Sequence, residues 1–316
     1  MDTTKVYLGI DIGGTNSKIA IVNPLGEYFD LSRYSYGDSK PTIKTFLENL
    51  FVVVDMLVDK NRARLAGIGI ACPGLQMENG HGTLTSVNMP LLKGVDLKAH
   101  FEKRYQLPVS VINDLVAHSM AESHFGLGRG IERFLTVSLG TGIGHAFIYR
   151  GKPQYVMNGI SGDSGRMVID PVSEIQDSSG VFGSAEALCG VNAIELLAKE
   201  YYPDGPILSA REVISKARDE NDPMAVKIMS VISRRLALLL INLSSIYFPE
   251  TISVSGGQTE AGPFFIEECQ KEFDRRASGF FNEMAKACGR KKGIKIRKSS
   301  TGGLSGLIGS IVSYLE

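Results

Sequence analysis

The run Tyr7-Leu-Gly-Ile-Asp-Ile-Gly-Gly-Thr-Asn-Ser-Lys-Ile-Ala-Ile-Val22 alternates apolar with small or polar positions, breaks at Gly-Gly-Thr, and alternates again. Alternation of period two predicts half-buried strands, so the run reads as an antiparallel hairpin closed by a glycine turn. The run Phe134-Leu-Thr-Val-Ser-Leu-Gly-Thr-Gly-Ile-Gly-His-Ala-Phe-Ile-Tyr149 repeats the same grammar. Two similar units far apart in one chain predict two similar α/β domains. The remaining pattern predicts strands near 27–34, 64–71, 109–113 and 251–254. Periodicity near 3.6 predicts helices over about 42–60, 96–105, 117–125, 185–201, 209–219, 223–247 and 263–287. The first of these places Phe46, Leu47, Leu50, Val54 and Leu57 on one face. A glycine-rich start at Gly302 leads into a last apolar helix ending near Leu315.

Composition narrows the class. The 316 residues suffice for two domains with good cores. Lys and Arg total 34, as do Asp and Glu, which argues against a partner held mainly through nucleic-acid phosphates. Cys72, Cys189, Cys269 and Cys288 show neither metal spacing nor a disulfide framework, as expected of buried thiols in a reducing cytoplasm. No signal-peptide pattern precedes the first strand. The apolar run Leu236–Leu243 is too short to span a bilayer and reads as a buried core helix.

The glycine turns carry the candidate chemistry. Gly13 and Gly14 lack Cβ, so the backbone can take φ > 0 and approach a ligand, and outward amides at such a turn attract anions. Asp11 supplies a carboxylate for a metal, Thr15 a hydroxyl for a phosphate and Lys18 a compact cation. An ordinary hairpin with a surface Asp and Lys is the plainer alternative, and the second glycine-and-threonine turn weighs against it. Asn113-Asp114 follows an apolar strand at a helix start. Asp114 there either caps the helix or points its carboxylate toward a substrate. His145 reads as a strand packing residue, and His118 receives no role.

Asp11-Ile-Gly-Gly-Thr-Asn-Ser-Lys18 resembles the first phosphate motif of the actin-like ATPase superfamily, and Leu139-Gly-Thr-Gly-Ile-Gly144 its second. With Ala71-Cys-Pro-Gly74, Ser86-Val-Asn88 and Ile112-Asn-Asp114, nearly the whole chain is similar to the ROK family of sugar kinases and sugar-responsive repressors. The resemblance implies two actin-like (ribonuclease H-like) α/β domains with a cleft between them. The expected division is 1–115 plus 301–316, with the last helix packing back on the first domain, and 116–300. It implies phosphorylation of a hexose or amino-sugar hydroxyl by ATP and Mg2+, with Asp114 as general base. Asp11 (also the Mg2+ ligand), Gly13, Gly14, Thr15, Lys18, Gly140, Thr141, Gly142, Gly144, Gly256 and Gly257 would bind the nucleotide. Gly74, Asn88, Asn113, Asp114, Asp163, Arg166 and Glu186 would contact the sugar. No nucleic-acid or membrane partner is implied, and a cytoplasmic homodimer is expected.

One segment departs from the family pattern. Where relatives read Gly-Glu-x-Gly-His before a zinc loop of three cysteines, this chain reads Gly162-Asp-Ser-Gly-Arg166, and Asp177, Ser179 and Ser184 fall at the cysteine positions. Hydroxyls and a cation are poor zinc ligands, so no structural zinc is expected. Arg166 either pairs with Asp163 or Asp177 to rebuild the loop, or reaches the sugar. Glu186 either accepts from sugar hydroxyls or opposes a helix dipole. Two alternatives to a kinase stay open. A repressor would carry a winged helix before the first motif, where only six residues precede Tyr7. An altered homologue would bind sugar or a partner without turnover.

Overall fold

The computed structural model describes residues 4–37, 41–87, 89–140, 142–290 and 293–315. The chain divides into two compact units, Met1–Gly130 with Ala146–Gly162 and Ser300–Glu316, and Ile131–His145 with Asp163–Ser299.

In the first unit, β1 (Val6–Ile12), β2 (Asn16–Val22) and β3 (Tyr28–Ser35) form the expected meander. The β1–β2 register runs from Tyr7 opposite Val22 to Ile12 opposite Ser17. Helix α1 (Ile43–Asn61) starts where the Thr42 hydroxyl accepts from the Thr45 amide. It then buries Phe46, Leu50 and Val54 against the sheet core. Next come β4 (Leu65–Cys72), the short pair β5 (Leu75–Gln76) and β6 (Thr83–Thr85), and α2 (Leu97–Tyr105). Strand β7 (Val109–Asn113) leads directly into α3 (Asp114–Phe125). The sheet order is β3-β2-β1-β4-β7, with β4 parallel to both β1 and β7. The carboxyl ends of β1, β4 and β7 therefore lie at one sheet end, where a parallel sheet of this kind presents its chemistry.

A second sheet runs β10-β9-β8-β11-β12. Its strands are β8 (Arg133–Leu139), β9 (Ile143–Tyr149), β10 (Lys152–Pro153), β11 (Thr251–Ser255) and β12 (Lys295–Lys298). The second unit's helices are α4 (Ala185–Cys189), α5 (Val191–Tyr201), α6 (Ala210–Ser215), α7 (Pro223–Tyr247) and α8 (Pro263–Ala287). Asp222 caps α7 through the Met224 and Ala225 amides, and the helix buries Ile228, Ile232, Leu236, Leu240 and Leu243. No described helix is long and apolar enough to cross a membrane.

The last segment is not one helix. It breaks into single turns around α9 (Ser305–Gly309). Its backbone packs too closely for a regular side-chain-bearing helix: a Cβ on Gly309 would lie 1.7 Å from the Ala117 carbonyl oxygen of α3. Helix α3, packed on this segment, groups with the first unit. The strand at 295–298 was not foreseen either; its charged edge, Lys295, Arg297 and Lys298, hides a single buried Ile296.

Candidate active site

Asn113, not Asp114, is the N-cap of α3. Its Oδ1 accepts from the Leu115 and Val116 amides, at 3.0 and 3.1 Å. Its Nδ2 donates to the Gly74 carbonyl at 3.0 Å. Gly74 has φ +96°, and a Cβ there would meet the Thr85 carbonyl oxygen at 2.2 Å, so only glycine fits the β4–β5 turn. With the cap supplied by its neighbour, Asp114 occupies the first helical position and its carboxylate is left for other work. It accepts one bond within the helix turn, from the Leu115 amide at 2.9 Å. Burial, and next the charge of Asp11, push its carboxyl up to about 6, against the opposing pull of its backbone hydrogen bonds. A carboxylate poised near neutrality is what a general base requires.

Asp11 ends β1 beside Lys18, whose Nζ lies 3.8 Å from Asp11 Oδ2 and donates to the Gly303 carbonyl at 2.6 Å. Gly306 packs its Cα on the Asp11 carboxylate; an added Cβ would lie 2.9 Å from its atoms. The turn closes with the Gly13 amide donating to the Asn16 carbonyl at 3.0 Å, leaving Gly14 and Thr15 exposed. Gly13, Gly140 and Gly142 do not use the left-handed region that the sequence would permit. At Gly13 and Gly142 smallness serves close approach instead: a Cβ would lie 3.1 Å from the Asn16 carbonyl oxygen and 2.8 Å from Glu186 Oε2.

His118 lies one helical turn after Asp114. Its Nδ1 pairs with the Ser305 hydroxyl, which donates to the Gly302 carbonyl at 2.8 Å. Burial holds the imidazole below its ordinary value, with Asp11 pulling the other way. Its i+4 spacing from Asp114 was the available signal that it would share a face with the candidate base.

In the second unit, a cavity of about 600 Å³ is lined by Leu139, Gly140, Glu195, Arg211, Arg218 and Gly257 among others. Gly256 has φ +107°, and a Cβ there would lie 1.9 Å from the Leu139 carbonyl oxygen. Strand β11 thus exits against the end of β8 with no side chain between. Gly140 and Gly257 therefore line one pocket, and Gly256 packs beside it on the Leu139 carbonyl. Glu195, Arg211 and Arg218 also line it; only their positions on amphipathic helices hinted at this. The turn at Gly140 closes through its amide to the Gly142 carbonyl at 3.0 Å, and Gly144 follows in β9. Thr141 and Asn88 lie outside the described residues.

Arg166 is engaged by carboxylates. Its Nη1 lies 2.9 Å from both Asp177 Oδ2 and Glu186 Oε1, and its Nε lies 3.5 Å from Asp163 Oδ2. Glu186 also accepts from Ser178 at 2.9 Å and from the Ile143 amide at 3.3 Å. Asp163 is mostly exposed. The donor set does not suit zinc: a guanidinium occupies one position, and Ser179 and Ser184 spend their hydroxyls on Asp177. Among the described residues, no group of three or more His, Cys, Asp or Glu is placed to hold a metal ion.

Comparison with known proteins agrees with this geometry. A glucokinase from Halalkalibacterium halodurans is 28% identical over 289 residues, 86% of each chain. An N-acetyl-D-glucosamine kinase from Vibrio parahaemolyticus is 26% identical and covers 95% of this chain and 98% of its own. A xylose repressor from Caldicellulosiruptor bescii is 24% identical, over 87% of this chain and 72% of that one. The structure of a glucokinase from Streptomyces griseus, in complex with glucose and AMPPNP, superposes with a TM-score of 0.76. It covers 96% of this chain and 97% of its own at 23% identity. The fold is accordingly the two-domain actin-like ATPase fold of the sugar kinases. The ROK family pattern matches residues 7–314, and the chain belongs to the ROK family.

Proposed function

We propose that the protein transfers the γ-phosphoryl group of ATP to a hydroxyl of a hexose or amino sugar, with Asp114 as general base. The observation that carries this reading is the Asp114 carboxyl, freed from capping by Asn113 and pushed up to about 6. Asp114 would take the proton of the attacking hydroxyl, and Lys18 and the glycine turns would offset phosphate charge. Phosphoryl transfer draws most of its acceleration from such positioning and neutralisation. Asp11, partly exposed at the end of β1, suits a hard cation and would hold the Mg2+ that accompanies the nucleotide. Bound there, the ion would further neutralise the phosphates. Sugar specificity between the glucokinase-like and the N-acetylhexosamine kinase-like type is read by Gly74, Asn88 and Asn113 in this proposal.

A panel of hexoses and N-acetylhexosamines with Mg-ATP, read as ADP release, tests the activity. One sugar should stimulate release well above the rest. A sugar that binds by calorimetry while no sugar stimulates release would instead place the protein with the non-catalytic sugar binders of the family. Gly256→Ala tests the nucleotide pocket. The forced positive-φ backbone and the close Leu139 carbonyl should cost about 1–3 kcal/mol of stability, and the shift of Gly257 and Leu139 that relieves the clash should weaken binding of a non-hydrolysable ATP analogue. Unchanged nucleotide affinity in a folded variant would remove this pocket from the reading.

A further inference from the structure

A long connection needs some organising centre, and between Arg166 and the start of α4 that centre is Asp177. Its side chain has no exposure to solvent. Oδ1 accepts from the Ser179 amide and hydroxyl at 2.8 Å each and from the Val181 amide at 3.1 Å. Oδ2 accepts from the Ser184 hydroxyl at 2.7 Å and meets Arg166 at 2.9 Å. Although burial pushes the carboxyl up, the Ser184 and Ser179 hydroxyls and the Arg166 guanidinium hold it well below its ordinary value. The negative charge is thus permanent at neutral pH, and Arg166 is its counter-charge. Arg166 in turn reaches Glu186, whose other oxygen takes the Ile143 amide at the end of the second glycine turn. That oxygen also lies 2.8 Å from where a Cβ of Gly142 would be.

We propose that the Arg166 guanidinium is a metal-free cross-brace that orders this loop and, through Glu186, positions the second phosphate turn. The guanidinium is suited to the task because its planar fork can engage several carboxylates at once, each in a charge-assisted hydrogen bond. A zinc ion would bind four ligands with the same net effect on the loop; here the cation is covalently part of the chain and cannot be stripped. Arg166 is a positioning residue in this account. Glu186 spends its carboxylate on Arg166, Ser178 and Ile143, so its effect on the reaction runs through the turn. The brace stands on loop geometry alone, and only its effect on nucleotide binding rests on the kinase reading.

Thermal melting with zinc or EDTA added, together with binding of a non-hydrolysable ATP analogue, tests both parts. The parent protein should melt at the same temperature with zinc, with EDTA and with neither. Arg166→Ala should melt about 5–10 °C lower, since it strands a buried carboxylate. Asp177→Asn should cost less in the Arg166→Ala background than in the parent, because the stranded charge is then gone. Glu186→Gln, close to isosteric, should weaken analogue binding several-fold. Arg166→Lys, with a cation but no fork, should lie between parent and Arg166→Ala in both readouts. A melting temperature lowered by EDTA, or unchanged in Arg166→Ala, overturns the brace. Lowered melting with analogue affinity unchanged in Arg166→Ala and Glu186→Gln overturns the link to the turn. Should the parent itself bind no nucleotide, the kinase reading fails, while the melting series still decides the brace.

Discussion

Asp114→Asn should lose roughly 10²–10⁴-fold in kcat, the usual worth of a positioned general base, with nucleotide affinity nearly unchanged. The same substitution should stabilise the protein at alkaline pH. The sign follows from linkage. The Asp114 carboxyl is raised to about 6 in the folded protein from an ordinary 3.8, by burial first and Asp11 second. The folded state therefore binds this proton more tightly than the unfolded chain does. That contribution to stability is complete below about pH 4 and is lost as pH rises through about 6. At pH 8 the ionised carboxylate costs on the order of 1–3 kcal/mol, which Asn does not incur. Asn can still accept from the Leu115 amide, so the helix start is preserved. Melting curves at pH 4 and pH 8 should show the variant's advantage only at pH 8, and the parent's kcat/KM should fall on the acid side of about pH 6. Parent-like turnover by the variant would remove Asp114 from the role of base. A variant less stable than the parent at pH 8 would show that the carboxylate is structural.

The sequence disclosed what depends on local periodicity. Both glycine hairpins were legible from the apolar alternation around a Gly-Thr break, although β1, β2 and β9 are buried on both faces instead of half-buried; α1 was legible because its apolar positions fall on one stripe. The proposed base was legible in position but not in environment. A carboxylate after a strand is as easily a cap as a catalyst; here Asn113 takes the cap through the Leu115 and Val116 amides, and its Nδ2 is anchored to the Gly74 carbonyl 39 positions away. The ion cluster around Arg166 was legible only as one of two outcomes, because Arg166, Asp177 and Glu186 are brought together by a loop with no period of its own. Helix 185–201 splits at Gly190, where a Cβ would lie 2.5 Å from the Glu186 carbonyl oxygen, a close contact that no helical pattern encodes. The strand Lys295–Lys298 and the fragmentation of 302–315 escaped for the same reason: packing partners far along the chain decide them.

Glu122→Ala should be among the most destabilising single changes in the first unit, although the residue touches none of the proposed substrates. Glu122 lies on α3 and is almost wholly buried. Its carboxylate accepts from the amides of Ser300, Thr301 and Leu127, and from the hydroxyls of Ser300 and Thr301. Ser300 is where the chain enters the first unit's last segment, and Leu127 lies in the segment by which it leaves α3. One carboxylate therefore ties the terminal segment, including the Gly302–Gly306 stretch over Asp11 and Lys18, to the helix that starts at Asp114. Removing it strands donors that water reaches in part, Ser300 being exposed and Thr301 and Leu127 half-buried, so each costs toward the low end of about 1–3 kcal/mol. A loss of about 3–5 kcal/mol is expected, read as a lower midpoint in urea with an unchanged slope. Glu122→Gln separates charge from shape. Gln keeps one acceptor oxygen but turns an amide toward donors that need an acceptor, so it should recover little of the loss. Because the tie runs to the segment over Asp11, nucleotide affinity should fall in both variants even at temperatures where they stay folded. A Glu122→Ala protein with the parent's urea midpoint would mean that the terminal segment is held by its apolar contacts, Leu307 and Ile311, alone.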